Sequence, residues 1–480
     1  MNYRTIGSFL SNVLKIEAAL LLLPIITSII YHESVGIYYL LTAAIILIVG
    51  ILFGLKKEDA PIFYAKEGFV SVGLAWLLMG LFGCLPFVMS KEIPDFVNAL
   101  FETISGFTTT GSSILSAPEE LSYTANLWRC LTHWIGGMGV IVFMLAIFPS
   151  NSGSNMHLMR AESPGPQVGK LVPKVKQTAR MLYIIYIFIT ILEMVVLYIA
   201  GMPLYDAVCA AFGSAGTGGF GIKNDSMASY STLIQIIVNI FILMFGVNFN
   251  IYYVLLRSKD KKEILRNEEL RWYFGIIIVA ILLISLNTIN YFNSYGQAFQ
   301  QASFQVASII TTTGYATTDF NLWPSFSKGL LVLLMFFGAC AGSTGGGIKL
   351  SRIILTLKIV KAEILHYIRP NQVKSIKLDG KNVDKGVLKS VGAYMLIFMV
   401  VLAISVLLVS LDNVTLEESF TSVVATLNNI GPGLGKVGPC GNYGSLSYFS
   451  KFVLIFDMLA GRLELLPILL LISPKTYKKI

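Results

Sequence analysis

Four short strings hold the residues whose types and spacing could do chemistry: TTTG from Thr108 to Gly111, GTGG from Gly216 to Gly219, TTTG from Thr311 to Gly314, and NNIG from Asn428 to Gly431. Stacked backbone carbonyls in such strings can replace the hydration shell of a monovalent cation. Glycine accepts the backbone angles that aim successive carbonyls to one side. The expected K+-type ligands are the carbonyls of Thr109, Thr110, Thr217, Gly218, Thr312, Thr313, Asn429 and Ile430. Gly111, Gly219, Gly314 and Gly431 close the strings. Other chemistries find no residues. Cys84, Cys130, Cys209, Cys340 and Cys440 give neither a paired framework nor a CxxC site. His32, His133, His157 and His366 show no HxxxH spacing and supply no hydrolase triad. None of the glycine strings carries GK[ST] after a strand, which excludes a phosphate-binding loop.

Each string ends a stretch too apolar for a free loop and too short for a span: FVNALFETISGFTTTGSS, YDAVCAAFGSAGTGGFG, GQAFQQASFQVASIITTTGYA and EESFTSVVATLNNIGPG. Aligned on the glycines, Ala99, Ala207, Ala302 and Ser419 stand twelve places earlier, and Ser105, Gly213, Ser308 and Ala425 six places earlier. Each copy reads as a half-helix entering a membrane and an extended segment returning outward. Backbone off a helix survives at that depth only where protein or a water-filled cavity satisfies it. Four such segments about one axis line a pore, and the negative helix C-termini favour a cation. A single copy reads more readily as a Gly/Thr-rich turn between helices. Recurrence at glycine spacings of 108, 95 and 117 residues argues instead for a unit of span, half-span, turn and span, repeated four times.

The surrounding composition agrees. Of 480 residues, 55% are hydrophobic and 13% charged, half the charge of an ordinary globular domain at about 25%. The chain therefore reads as an all-α polytopic membrane protein. About ten apolar runs suffice to cross a hydrocarbon core of ~20 helical residues, among them Val13 to Tyr31, Ala125 to Phe148, Leu233 to Leu256, Ser327 to Lys361 and Tyr448 to Ile472. No cleavage site follows the first run, so it is expected to be a retained helix and not a signal peptide. The net charge of +9 does not mark a nucleic-acid face, because the bases fall between spans. Of 36 Lys and Arg residues, 29 sort to the N-terminal segment, the alternate loops and the tail, which places both termini in the cytoplasm. Twelve acids sort to the opposite side and outnumber its six bases, a field that attracts cations. The expected organisation is two N-terminal transmembrane helices in 1–60, then repeats at 61–150, 170–258, 268–365 and 384–480.

The run from Ser327 is interrupted by five glycines, Ser343 and Thr344 within Gly338 to Gly347. At ~1 kcal/mol per interior glycine relative to alanine, this stretch is expected to unwind; close packing through small residues is the alternative. Arg462 lies inside the last run, where an arginine costs at least ~2.5 kcal/mol and normally faces a cavity or a partner. Asp457 and Glu464 are within reach as partners. Glu193 reads as an interhelical hydrogen-bond partner, and Asp206, Glu417 and Glu418 as helix-capping residues. The basic stretch from Lys358 to Lys389 reads as a docking surface for a cytosolic regulator, or as topology signal and attraction to anionic lipid.

With FTTTGSS, HWIGGMG (His133 to Gly139), GTGGF, TTTGY, AGSTGGGIK (Ala341 to Lys349), LNNIGPG and GRLELLP (Gly461 to Pro467), the chain resembles the membrane subunit of the bacterial Trk-type potassium uptake system, in the Trk/Ktr/HKT superfamily. The resemblance covers nearly the whole chain. It implies four non-identical M1-pore helix-M2 repeats around a central pore, a homodimer with one pore per subunit, and a cytosolic RCK-domain nucleotide-binding regulatory subunit (TrkA-like). It implies that Gly111, Gly219, Gly314 and Gly431 belong to the selectivity filter, and that glycine at the first of these favours K+ over Na+. It also implies a gate at Ala341, Gly342, Ser343, Thr344, Gly345, Gly346 and Gly347, with Arg462 beside the pore holding loop carbonyls near Gly345. GTGG departs from the TTTG pattern, as do Asn428 and Asn429 with Pro432 behind them.

The expected function is K+ uptake across the bacterial cytoplasmic (inner) membrane through a selective, gated pore, with Rb+ and Na+ as further candidate ions and no organic cofactor. One charge gains ~2.3 kcal/mol per 100 mV, so a membrane potential suffices to drive it. The rival reading is a symporter coupling K+ to H+ or Na+. A membrane enzyme would need convergent acids, histidines or metal ligands at one depth, and none is legible.

Overall fold

The computed structural model of the chain describes residues 1–55, 65–139, 175–257, 264, 266–370 and 375–477. Almost all regular structure among them is helical, apart from one antiparallel hairpin pairing Lys377–Leu378 with Lys381–Asn382. Large apolar side chains such as Ile199, Leu286, Leu396 and Leu407 stand well exposed on the perimeter. That surface suits hydrocarbon, not water. The chain is thus a helical, membrane-type protein. Six helices among the described residues are long and apolar enough to cross a membrane: Tyr3–Ile30, Gly36–Gly54, Lys66–Ser90, Ala179–Ile199, Glu268–Asn287 and Lys385–Asp412.

The sequence leads to about ten spans, and the difference lies in helices that break. Tyr123–Met138 stops at Gly139, whose φ is 77°; the rest of the run expected to reach Phe148 lies outside the described residues. The expected straight span from Leu233 to Leu256 is instead two helices, Thr232–Phe245 and Phe249–Arg257, bent by 91°. The Gly246 carbonyl freed at the bend accepts from the Cys340 N–H at 3.1 Å, and the Phe249 N–H donates to the Gly342 carbonyl at 3.1 Å. Tertiary hydrogen bonds thereby replace helical ones. The glycine-rich interruption does unwind, leaving Ser325–Phe337 and Leu350–Ile368 as separate helices. The expected continuous helix from Tyr448 to Ile472 is also corrected. It divides into Tyr448–Arg462 and Leu466–Ile472 at Glu464 and Leu465, whose φ values are 58° and 67°.

Four short helices precede the glycine strings: Phe96–Phe107, Leu204–Gly216, Tyr295–Ile310 and Leu416–Leu427. Side-chain oxygens start three of them. Asp95 accepts from the Asn98 N–H at 2.8 Å, Ser294 from the Gln297 N–H at 3.2 Å, and Thr415 forms a reciprocal capping box with Glu418. Ala99, Ala207, Ala302 and Ser419 are fully buried, because a helix approaches closely at each. Tyr123–Met138 packs on Leu204–Gly216, Thr232–Phe245 on Tyr295–Ile310, and Ser325–Phe337 on Leu416–Leu427. Tyr448–Arg462 returns to pack on Phe96–Phe107.

Candidate functional site

Each short helix ends in the same way. The N–H of Thr110, Gly218, Thr313 and Ile430 turns back to the carbonyl of Ser105, Gly213, Ser308 and Ala425, at 2.9, 2.9, 2.8 and 2.8 Å. The small residues six places before each glycine are therefore acceptors in a helix-terminating bond of the Schellman kind. A trans peptide points its N–H and C=O in opposite directions. Tying those four N–H groups to the helix ends thus directs the carbonyls of Thr109, Thr217, Thr312 and Asn429 away from them. These four residues share a left-handed backbone, with φ of 54°, 52°, 60° and 54°. For a β-branched threonine that is an outlier, costing about 1–3 kcal/mol, and it occurs at the same place in every string.

The glycines close the arrangement. Gly111, Gly219, Gly314 and Gly431 have φ of 78°, 78°, 83° and 100°. A Cβ on Gly111 would overlap the carbonyl oxygen of Gly218, one on Gly219 that of Thr313, and one on Gly314 that of Ile430. On Gly431 it would stand 2.8 Å from the Thr110 carbonyl oxygen. String one thus abuts two, two abuts three, three abuts four and four abuts one. All four glycines line one cavity of about 90 Å³ with Ser112, Pro432 and Tyr443. Thr109, Thr110, Thr217, Thr312, Thr313, Asn429 and Ile430 are fully buried.

Side chains explain the departures between copies. In strings one and three the first threonine donates to its helix, Thr108 to Ile104 and Thr311 to Ala307, and shares a 2.7 Å hydrogen bond with Thr110 or Thr313. In string four the Asn428 amide donates to the Val424 carbonyl at 2.9 Å, and Asn429 donates to Thr110 Oγ1 and the Met458 carbonyl, each at 2.9 Å. In string two the imidazole of His133 occupies the space that a Cβ on Gly218 would need. Its Nδ1 donates to the Gly106 carbonyl at 2.8 Å.

The unwound segment lies against strings three and four. The Gly346 N–H donates to Thr312 Oγ1 at 2.6 Å, and a Cβ on Gly346 would meet the Asn428 carbonyl oxygen at 2.5 Å. Ala341, Gly342, Ser343, Thr344, Gly345 and Gly347 complete it, with Gly342 and Gly347 at φ of 73° and 76°. Arg462 Nη1 donates to the Thr344 carbonyl at 2.9 Å, and Nη2 to those of Gly136 and Gly137 at 2.5 and 2.7 Å. The carbonyl it holds is Thr344, one residue before the expected Gly345. Glu464 forms an ion pair with Arg352, and Asp457 accepts from Ser405 Oγ at 2.7 Å.

Four residues take roles that their sequence positions do not announce. Lys349, counted there among cytoplasmic bases, is buried, and its Nζ donates to the Gly345 carbonyl. Arg129 and Glu102, sorted to the outer loops and helix ends, form a buried ion pair at 2.8 Å behind string one, where Glu102 also accepts from Ser113 and the Ile114 N–H. Glu269 accepts from the unwound segment itself at 2.8 Å. Glu193 is fully buried, beside Ser214.

The family described as "TrkH: Cation transport protein" matches residues 39–478. The chain is 35% identical to the Trk system potassium uptake protein TrkH of Salmonella typhimurium, over 100% of both chains, and 34% identical to that of Escherichia coli K12, also over 100% of both. The crystal structure of the potassium transporter TrkH from Vibrio parahaemolyticus is similar at a TM-score of 0.89 and 30% identity, again over 100% of both chains.

Proposed function

The chain belongs to the TrkH family of cation transport proteins, and on that premise we propose that it takes up K+ through the ring of four glycine strings. It is a membrane transporter, not an enzyme, and K+ is its cargo. The carrying observation is the closed contact of each glycine with the carbonyl of the next string, which supports a filter built from Thr109, Thr110, Gly111, Thr217, Gly218, Gly219, Thr312, Thr313, Gly314, Asn429, Ile430 and Gly431. We read the surrounding helices as four M1-pore helix-M2 repeats about a pore, preceded by two further transmembrane helices. Helix packing that passes from each copy to the next and back to the first supports this reading.

Ala341 to Gly347 act as the gate. Its contacts with Thr312 and Asn428 support this reading, as do Arg462 and Lys349, which hold two of its carbonyls. Two cations there add a barrier to K+. Both termini lie in the cytoplasm of a bacterial inner membrane by the distribution of Lys and Arg. The protein works as a homodimer with a cytosolic RCK-domain regulator, a partnership consistent with the system named in its relatives.

Flux in liposomes containing only this protein tests the reading. With no proton or sodium gradient, an inward-negative potential should drive Rb+ or K+ uptake in preference to Na+. Uptake that requires a proton or sodium gradient would instead establish symport.

A further inference from the structure

The gate segment is held from a direction that the pore does not require. Glu269 sits in the first turn of Glu268–Asn287, is 7% exposed, and places one carboxylate oxygen on both ends of the segment. Oε1 accepts from the Ala341 N–H at 2.8 Å and from the Ser351 N–H at 3.1 Å. Between them the Leu350 N–H donates to the Ala339 carbonyl at 3.1 Å. The loop is therefore closed at its neck, and the carboxylate is the part of that neck which belongs to another helix.

The preceding residue faces the other way. Glu268 pairs with Lys358 at 2.6 Å, and Lys358 Nζ also donates to the Lys377 carbonyl at 2.6 Å. The Glu268 N–H donates to Asp379 Oδ1 at 2.6 Å, and Asn267 Nδ2 to Asp379 Oδ2 at 3.2 Å. Asp379 and Gly380 form the left-handed turn of the hairpin, with φ of 50° and 76°, as a two-residue type I′ loop requires. An acid at the N-terminus of a helix also gains from the helix dipole. The hairpin and the gate segment are thus attached to adjacent residues of one helix end.

We infer that Glu268 and Glu269 form a double clamp: Glu269 is a positioning residue that keeps the gate segment closed at its neck, and the 377–382 hairpin, latched through Asp379 and Lys358, is a lever that loosens it. This rests on the reading of 341–347 as a gate. Pulling the hairpin outward shifts the helix end, and both hydrogen bonds to Glu269 lengthen together, because one oxygen makes both.

Amide hydrogen exchange and Rb+ flux, measured on the full-length protein and on E269A, E269Q, D379A and R462A, test the clamp. Losing a hydrogen bond to a charged group should lower protection across 339–351 by at least roughly tenfold in E269A, and raise flux several-fold. E269Q, which retains a neutral acceptor, should fall between it and the parent. D379A should loosen the same amides to a smaller degree. Unchanged protection of 339–351 in folded E269A would overturn the clamp, and exposure confined to 377–383 in D379A would overturn the lever. Protection lost with flux unaltered in both E269A and R462A would uphold the clamp and overturn the gate reading instead.

Discussion

The guanidinium of Arg462 reaches the Thr344 carbonyl at 2.9 Å with one nitrogen and the Gly136 and Gly137 carbonyls with the other. One side chain thus ties the segment beside the filter to the break in a helix from the opposite end of the sequence. Replacing it with alanine removes both the tie and a positive charge. R462A should raise K+ flux by roughly ten- to a hundredfold, the equivalent of one charge-assisted hydrogen bond at about 1.5–3 kcal/mol, with the K+ to Na+ preference kept. R462K keeps the charge but cannot fork between the two sites, and should lie between. Flux assays on folded, reconstituted variants read the order directly.

The four filter glycines are not equivalent. A Cβ overlaps a neighbouring carbonyl at positions 111, 219 and 314, whereas at 431 it has 2.8 Å. Alanine at the first three should therefore relax K+ over Na+ selectivity more than G431A does. The ratio of Rb+ to Na+ flux measures this, and an equal loss at all four would remove the steric explanation.

His133 and Gly218 are expected to be coupled. G218A drives a methyl group into the imidazole, and H133A empties that space. The double variant should be more stable than the sum of the single losses predicts, by about 0.5–3 kcal/mol, the range for residues in contact. Thermal unfolding in detergent gives the cycle, and additivity would separate the two residues.

The fourth short helix should carry an acid-dependent share of stability. Burial pushes the Glu418 carboxyl up, but the N–H groups of Thr415 and Lys436 that it accepts outweigh burial and hold it below the ordinary range. A lowered folded value means the unfolded chain binds more protons in acid. The contribution is full above about pH 4.3, the ordinary glutamate value, and is lost as pH falls through the folded one. Melting curves of E418Q should show a smaller loss of stability on acidification than those of the parent. T415A should cost about 1 kcal/mol, as the loss of a cap does.

The strings were legible because what they require is local. A glycine that must take φ near 80° against a neighbour's carbonyl has no substitute, so all four positions stand out by residue type. The unwinding at Gly338 was legible for the same reason. The bend at Gly246 and the break at Leu465 were not. Their causes are tertiary: the Cys340 N–H supplies the bond that the Gly246 carbonyl lost, and Leu465 is a β-branch-free apolar residue with no turn signature of its own. Lys349 counts with the cytoplasmic bases and Glu269 draws no reading of its own, because charges near span ends normally mark topology. Only the fold reveals that both turn inward to the same segment. The GTGG departure likewise awaited His133, which is distant in sequence and adjacent in space.

The measurement closest to the central claim is anomalous diffraction from crystals of the protein grown in Rb+. Rb+ is expected on the axis of the ring, between the carbonyls of Thr109 and Thr110, Thr217 and Gly218, Thr312 and Thr313, and Asn429 and Ile430, with that density reduced in G314S. Rb+ bound elsewhere with the ring vacant, or ring density indifferent to the substitution, would contradict it.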